Sequence, residues 1–154
     1  PKANVGYGAY LVVSPGDIYT DSLKTRVKVK RFEQTSSTRL ELQTLVWALT
    51  MIRGLGGRVI VFTDSQNIIG LHKRRVRLEK QDYRSKKNTL IKNHELYREF
   101  FRIVDELDCE FIKVRGHKVS HQKNHIDHFF ALVDKASRKA LRHQGFIEKP
   151  GCSS

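Results

Sequence analysis

Carboxylates in three separate regions of the chain are the residues best suited to catalysis. Glu41 lies in a helix-forming stretch, Asp64 follows an apolar run, and Asp127 and Asp134 lie two helical turns apart near the C-terminus. Their hard oxygen atoms select Mg²⁺ or Mn²⁺. Paired ions of this kind activate water and stabilise the leaving oxygen when a phosphodiester is cleaved. The pattern therefore indicates metal-dependent phosphodiester chemistry if the fold brings three of these acids to one sheet edge.

The chain as a whole is strongly basic, which favours a polyanionic partner. Its 154 residues include 29 Lys and Arg against 16 Asp and Glu, giving a formal net charge of +13. Such a balance is typical of proteins that bind nucleic acid. A cluster of acids in so positive a protein needs a cation to hold it together. No apolar run reaches the roughly 18 residues of a membrane span, so we expect no membrane partner.

The two cysteines, Cys109 and Cys152, do not have the spacing of a disulfide framework. This usage predicts a reducing, intracellular compartment, and we expect a cytoplasmic protein. No signal peptide is visible in the sequence.

Asp64 ends the stretch around which the other elements are arranged. Residues 59–62 form an unbroken, β-branched apolar run, which predicts a strand buried on both faces of an α/β sheet. Ligands of such sheets bind outside the carboxyl ends of the strands, where Asp64 would lie. In the alternative interpretation, Asp64 or Ser65 only caps the helix that follows.

Glu41 belongs to the helix that the sequence predicts most clearly, over residues 38–53. Apolar side chains recur at helical spacing from Leu42 to Ile52, and glycines follow the last turn. Ser36, Ser37 and Thr38 all offer N-cap oxygens. Because Glu41 lies three residues after Thr38, a capping box is the structural alternative to a metal ligand.

The remaining pattern predicts an α/β domain with a mixed sheet. We expect further strands over residues 6–13, 18–20, 26–32 and 109–114, and further helices over residues 66–72, 93–107 and 124–143. One domain would cover residues 1–148, with a frayed, disordered tail over residues 149–154.

A basic segment over residues 73–92 follows the Asp64 motif. Its acids are Glu79 and Asp82, and its basic residues are Lys73, Arg74, Arg75, Arg77, Lys80, Arg84, Lys86, Lys87 and Lys92. We interpret it as a weakly amphipathic helix or loop that projects from the core and contacts phosphates. The alternative is a solvated linker.

Four short motifs resemble, in order and spacing, those of type 1 ribonuclease H. They are TRLEL at 38–42, FTDSQ at 62–66, VRGH at 114–117 and DKASRKA at 134–140. Residues 6–9 are similar to the second strand of that family, so the resemblance extends from residue 6 to about residue 140.

The resemblance implies a ribonuclease H-like mixed five-stranded sheet with helices on both faces. It also implies two Mg²⁺ ions (or Mn²⁺) and endonucleolytic hydrolysis of the RNA strand of RNA–DNA hybrids; we expect a monomer. The metal ligands carried over are Glu41, Asp64 and Asp134, with Asp127 as the alternative to Asp134. His117 would move protons or assist product release.

The resemblance also assigns two sets of nucleic-acid contacts. Ser37, Thr38 and Gln66 would face the minor groove, where A-form shape and 2′-hydroxyls are read. The family usually has asparagines at the positions of Ser37 and Thr38. The basic segment resembles the family's basic protrusion, and its contacts would be Lys73, Arg74, Arg75, Arg77, Lys86 and Lys87.

One departure concerns the family's first strand, which is central to the sheet and ends in Asp-Gly-Ser. Only residues 1–5 precede Gly6 here, so we expect that the first, central strand is missing from this chain, together with the first Asp of the family's catalytic set, which that strand carries. We expect further residues upstream in the natural protein; otherwise another strand must fill the gap. Two alternatives therefore stay open: an inactive module that binds hybrids or double strands, and another nuclease or transposase of the same fold.

Four histidines suggest a different metal site. His117, His121, His125 and His128 are closely spaced, and His121 and His125 are one helical turn apart. The pattern fixes no third zinc ligand, so we favour solvated or phosphate-facing histidines.

Overall fold

The computed structural model describes residues 4–115 and 124–148; for residues 144–148 it describes the backbone only. Within these ranges the elements are α/β, as predicted. The strands are β1 (Gly6–Tyr10), β2 (Lys28–Phe32), β3 (Val59–Thr63) and β4 (Cys109–Lys113). The α-helices are α1 (Ser37–Ile52), α2 (Gln66–Ile69), α3 (Leu71–Lys80), α4 (His94–Glu106) and α5 (His125–Glu148). Short 3₁₀ helices cover Asp21–Arg26 and Arg53–Leu55.

The chain divides into two compact units. The first comprises Pro1–Leu40 with His117–Ser154, and the second comprises Glu41–Gly116. In the first unit, β1 and β2 pair antiparallel from Gly6↔Phe32 to Tyr10↔Lys28, and α5 packs against β1. A Cβ atom at Gly6 would lie 2.7 Å from Leu40 Cδ2, so the glycine lets the start of α1 approach β1 closely.

The strand predicted over residues 18–20 is wrong. Ile18 is 60% exposed, so burial does not favour an extended strand there. Instead, Ser14 N donates to Asp17 Oδ2 at 2.8 Å and Asp17 N donates to Ser14 O at 3.0 Å, which closes a turn. Arg26 Nη2 donates a hydrogen bond to Val12 O at 2.7 Å. The Val12 carbonyl therefore accepts from a side chain and not from the backbone of a partner strand, as it could in a longer β1.

The second unit is built on two parallel strands. β3 and β4 pair in register from Val59↔Cys109 to Thr63↔Lys113. Their core-facing residues pack against side chains of α1, α2, α3 and α4. The largest fully buried members of this core are Leu42, Leu49, Leu71, Phe100 and Ile103. The predicted helices over residues 38–53 and 93–107 are confirmed with small shifts in their ends, because their apolar stripes face this core.

Among the described residues no strand takes the place of the first, central strand, which the resemblance predicts to be missing from this chain. The described residues contain four strands in two separate pairs: β1 pairs with β2, and β3 pairs with β4. Ile60 on β3 is 47% exposed, and Ile112 on β4 is 37% exposed. β3 is therefore buried on one face, whereas its apolar run predicted burial on both.

The basic segment is more ordered than a linker. Its first half is α3, and residues 81–93 then fold back through a bridge between Arg84 and Leu90. Tyr83 is buried, and the guanidinium carbon of Arg98 lies 4.6 Å from the centre of its ring. The linker interpretation is therefore wrong for this part of the chain.

Across residues 4–115 and 124–148, every helix is too short or too polar to cross a lipid bilayer.

Candidate active site

Asp64 lies immediately after β3, where hydrogen bonds fix the backbone on both sides of it. Val114 N donates to Thr63 O at 2.9 Å, extending the pairing with the β4 segment. Ser65 N donates to Thr63 Oγ1 at 3.1 Å. The Asp64 side chain is exposed. A rigid strand end therefore presents this carboxylate to solvent, as the sequence predicted for the carboxyl edge of the sheet.

Ser65, and not Asp64, caps the helix that follows. Its Oγ accepts a hydrogen bond from Ile68 N at 3.2 Å, which satisfies an otherwise unpaired amide of α2. The helix does not require the Asp64 carboxylate. The interpretation of Asp64 as a structural cap is therefore wrong.

Glu41, like Asp64, does not cap a helix. Ser36 Oγ accepts a hydrogen bond from Arg39 N at 3.3 Å, so Ser36 is the N-cap of α1 and Arg39 holds the capping-box position. Glu41 lies farther along the helix, and its Oε2 accepts a hydrogen bond from Ser65 Oγ at 2.7 Å. The structure thus brings Glu41 beside the residue that follows Asp64.

These two carboxylates suit a hard divalent cation. Both side chains are exposed, and the hydrogen bond from Ser65 uses only one oxygen of Glu41. Mg²⁺ is commonly held by one or two carboxylates, with waters completing its coordination. A group of three His, Cys, Asp or Glu side chains arranged to hold a metal is absent from the described ranges. The described donor set therefore fits a Mg²⁺ site but forms only part of one.

Asp127 stabilises the start of α5. Its Oδ2 accepts a hydrogen bond from Asn124 N at 2.9 Å, and Asn124 Oδ1 accepts one from Asp127 N at 3.0 Å. This reciprocal pair is a capping box, with an acid placed favourably near the positive end of the helix dipole. Asp127 is 8% exposed. Its geometry thus gives it a structural task.

Asp134 is placed differently on the same helix. It is exposed, and its Oδ2 pairs with Arg138 one turn along. Exposed pairs of this kind contribute only about 0–1 kcal/mol to folding. The fold therefore has little need of this carboxylate, in contrast to Asp127.

Several other predicted site residues can be placed. Ser37 and Thr38 are exposed in the first turn of α1. Gln66 is exposed at the start of α2, and its Oε1 accepts a hydrogen bond from Lys113 Nζ at 2.6 Å. His117 lies outside the described residues.

Two histidines of α5, His125 and His128, contact Tyr19 in the described structure. Tyr19 N donates to His125 Nδ1 at 3.3 Å, and the ring centres of Tyr19 and His128 are 5.0 Å apart. His121, like His117, lies outside the described residues.

Two of the predicted phosphate contacts are engaged within the protein. Arg74 Nη2 donates to Asn67 O at 2.8 Å and to Asn67 Oδ1 at 2.7 Å. Arg75 donates two hydrogen bonds of 2.6 Å to Asp105 and one of 2.8 Å to Glu79. These bonds, above all those with Asp105, raise the pKa of the Arg75 guanidinium. Both arginines stabilise the packing of α3.

The other basic residues are more available. Lys73, Arg77, Lys86 and Lys87 are exposed, and their side chains form no ion pair with any residue in the described ranges.

A cleft of about 330 Å³ lies between α3 and the segment that follows it. Four cations line it: Arg74, Arg77, Arg84 and Lys86. Tyr97, Leu78 and Ile91 form its apolar walls. The cleft combines positive charge with apolar walls, and its cations suit the phosphates of a nucleic acid.

Sequence reasoning missed the contacts that organise this region. The sequence predicts Ser65 only as a cap, and it does not predict the hydrogen bond from Lys113 to Gln66. Both contacts join residues far apart in the chain, at separations of 24 and 47 positions. Periodicity carries no signal for such pairs. The parallel pairing of β3 and β4 was the available clue for Lys113, because it places residues 63–66 and 113 at one edge.

Comparisons with known proteins agree on one family. A family model described as RNase H matches residues 2–140. The ribonuclease H of Moorella thermoacetica is 26% identical over 141 residues, which cover 90% of this chain and 84% of that relative.

Solved structures show the same fold at low sequence identity. The RNase H domain of PFV has 16% identity and a TM-score of 0.56, with 88% of this chain and 91% of that domain covered. LC9-RNase H1 has 18% identity and a TM-score of 0.53, with 89% and 72% covered. A foamy viral protease-reverse transcriptase bound to RNA/DNA hybrid has 10% identity and a TM-score of 0.56. The chain covers only 19% of that viral polypeptide. Because the family model matches most of its length, the chain belongs to the ribonuclease H family of nucleases.

Proposed function

We propose that this protein is a metal-dependent endoribonuclease that hydrolyses the RNA strand of RNA–DNA hybrids. The observation that carries the proposal is the hydrogen bond from Ser65 Oγ to Glu41, which places Glu41 beside the residue that follows the exposed Asp64 at the end of β3. An acid pair at the edge of a parallel ladder, in a chain of charge +13, suits a cation that acts on a polyanion.

In this proposal Glu41 and Asp64 hold Mg²⁺ or Mn²⁺, and the motif around Asp134 supplies the last carboxylate. When two such ions are bound, they activate water and stabilise the leaving oxygen of the phosphodiester. The rigid strand end fixes Asp64, and Ser65 orients Glu41. His117 serves in proton transfer or product release.

The nucleic acid is held by groups of two kinds. Ser37, Thr38 and Gln66 offer exposed hydrogen-bonding side chains for ribose and base edges in the minor groove, where RNA differs from DNA by its 2′-hydroxyl. Phosphates are bound chiefly by the available cations of the basic segment, Lys73, Arg77, Lys86 and Lys87. Arg74 and Arg75 contribute mainly by shaping α3, because their guanidinium groups are already bonded within the protein.

A second candidate function is a hybrid- or double-strand-binding module without catalysis. It is favoured by one observation: the described residues contain no group of three acids or histidines arranged for a metal. Both functions predict binding to hybrids, whereas only the first predicts cleavage. Another nuclease or transposase of the same fold would be recognised by cleavage of a different nucleic acid.

The protein is expected to cleave hybrid RNA in the presence of Mg²⁺ or Mn²⁺ and to leave 3′-hydroxyl and 5′-phosphate ends. The carboxylates alone provide no equivalent Lewis acid, so EDTA should abolish cleavage. Full-length protein would be incubated with end-labelled hybrid, RNA duplex, DNA duplex and single-stranded RNA of one sequence. Hybrid binding without cleavage would favour the binding module. Equal cleavage of single-stranded RNA, or cleavage that persists in EDTA, would contradict the proposal.

Neutralising Arg77 is expected to weaken hybrid binding in a salt-dependent way, whereas neutralising Arg75 is not. Each phosphate contact that is lost should lower the slope of log affinity against log salt by roughly 0.9. Arg77→Ala, alone and combined with Lys86→Ala and Lys87→Ala, would be compared with wild type by hybrid titration at several salt concentrations.

Arg75→Ala is the matched control for this measurement. It removes the same charge from the same helix, but this charge is already paired with Asp105 and Glu79. We expect it to lower the free energy of unfolding while leaving the salt slope nearly unchanged. Equal slope changes for Arg75→Ala and Arg77→Ala would show that internal pairing does not decide which cations meet phosphate.

A further inference from the structure

We propose that Ser65 is a positioning residue whose hydroxyl sets the orientation of the Glu41 carboxylate for metal binding. The inference rests on the proposed function in taking Glu41 as a metal ligand. It assigns Ser65 a role beyond capping α2, and it concerns a residue that was not among the predicted site residues.

The two partners of Ser65 fix the direction of its hydroxyl hydrogen. Ile68 N is a backbone amide and can only donate, so Ser65 Oγ accepts from it at 3.2 Å. An ionised Glu41 carboxylate can only accept, so the hydroxyl must donate to Oε2 at 2.7 Å. The three groups form a directed relay from amide to hydroxyl to carboxylate, in which each hydrogen bond polarises the next.

The contrast in burial shows which partner is the rigid one. Ser65 is only 7% exposed and is held in place by its bonds to Thr63 and Ile68, whereas Glu41 is exposed. A glutamate side chain in solvent samples many rotamers, and ordering it costs conformational entropy. A fixed donor on one oxygen selects orientations in which the other oxygen points away from Ser65. The metal then meets a carboxylate that is already ordered.

Residues that hydrogen-bond to a metal ligand are known to orient it and to raise metal affinity. Their loss typically lowers affinity or activity by roughly 10- to 100-fold. The hydroxyl of Ser65 stands in this relation to Glu41, and the preceding residue in the chain is Asp64, the other proposed ligand. One short segment would therefore supply a ligand directly and orient the second.

The capping and positioning roles can be separated by substitution. A cap needs only an acceptor, and glycine replaces serine at an N-cap with little loss of stability, whereas alanine does not. Neither glycine nor alanine can donate to Glu41. Threonine retains a hydroxyl that can do both. Ser65→Gly therefore removes the donor while largely sparing the cap, Ser65→Ala removes both, and Ser65→Thr restores both.

The test uses the full-length protein and its three Ser65 variants. Mn²⁺ binding is measured by calorimetry without nucleic acid, stability by denaturant unfolding, and kcat and KM with hybrid substrate. We expect Ser65→Gly and Ser65→Ala to weaken Mn²⁺ binding by a similar factor, roughly 10- to 100-fold. Only Ser65→Ala should be clearly less stable. Ser65→Thr should bind Mn²⁺ within a few-fold of wild type, and the loss in Ser65→Gly should fall on kcat rather than KM.

The outcomes distinguish this inference from the proposed function. If wild type cleaves hybrids and Ser65→Gly binds Mn²⁺ as wild type does, the positioning role is wrong while the nuclease function stands. If wild type does not cleave hybrids but Ser65→Gly still loses Mn²⁺ affinity, the positioning role stands and the nuclease function fails. Loss of affinity that follows the loss of stability across all variants would assign Ser65 to capping alone and overturn the inference.

Discussion

Asp64→Asn is expected to abolish hybrid cleavage while leaving the fold intact. Asp64 is exposed at the end of β3, and the helix that follows is capped by Ser65, so folding does not depend on this carboxylate. The amide is a much poorer metal ligand than the carboxylate. A bound metal contributes several kcal/mol to stabilising the transition state, and each 1.36 kcal/mol is a factor of ten in rate. We therefore expect kcat to fall by at least about a hundredfold.

The free energy of unfolding should be unchanged or slightly higher in Asp64→Asn. If Asp64 and Glu41 share a metal as proposed, removing one of the two charges relieves their repulsion when no metal is bound. Asp108→Asn is a suitable control, since it makes the same chemical change at an exposed acid of the same unit, before β4. Full activity of Asp64→Asn, or equal losses in both variants, would reject a catalytic role for Asp64.

The elements that carry the site could be predicted because their signals are local. Burial of one stripe of a helix imposes a 3.6-residue period, which located α1 and α4, and a short β-branched run located β3. The position of Asp64 at the carboxyl edge followed from these elements alone. Pairing of strands is not local in this sense. The separation into a β1–β2 pair and a β3–β4 pair depends on which backbones meet, so periodicity alone does not predict it. It is expected only from the family resemblance, in which the missing central strand lies between these pairs.

The hydrogen-bond and ion-pair partners of individual side chains could not be predicted for a related reason. Arg75 and Arg77 are equivalent in the sequence pattern, as charged residues on one short helix. Only the fold shows that Asp105, on α4, pairs with Arg75, while Arg77 meets no such acid among the described residues. The same holds for Glu41, whose spacing from Thr38 suggested a capping box. Ser36 is the N-cap instead, so Glu41 lies beyond the capping-box position. Its carboxylate accepts a hydrogen bond from Ser65.

Asp134→Asn is expected to abolish cleavage, whereas Asp127→Asn is expected to retain most of it. The two residues lie about 10 Å apart along α5, too far to bind one Mg²⁺ with oxygen distances of about 2.0–2.1 Å. The sequence gives opposing signals: the DKASRKA motif favours Asp134, and the shorter spacing from His117 favours Asp127. The structure adds that Asp127 is a buried capping residue, while Asp134 is exposed and is paired with Arg138 only one turn away.

Controls at each position separate structural from catalytic effects. Asparagine at 127 still accepts a hydrogen bond from Asn124, whereas Asp127→Ala removes the cap and should cost about 0.5–2 kcal/mol of stability. Arg138→Gln breaks the ion pair of Asp134 but keeps the carboxylate, so its kcat should stay near wild type. Activity would be assayed over a Mg²⁺ titration, with unfolding measured in parallel. If Asp127→Asn is inactive and Asp134→Asn is near normal, the last ligand is Asp127 and the nuclease assignment stands. If neither substitution changes cleavage, the metal site does not use α5, and Glu41 and Asp64 must act with other ligands.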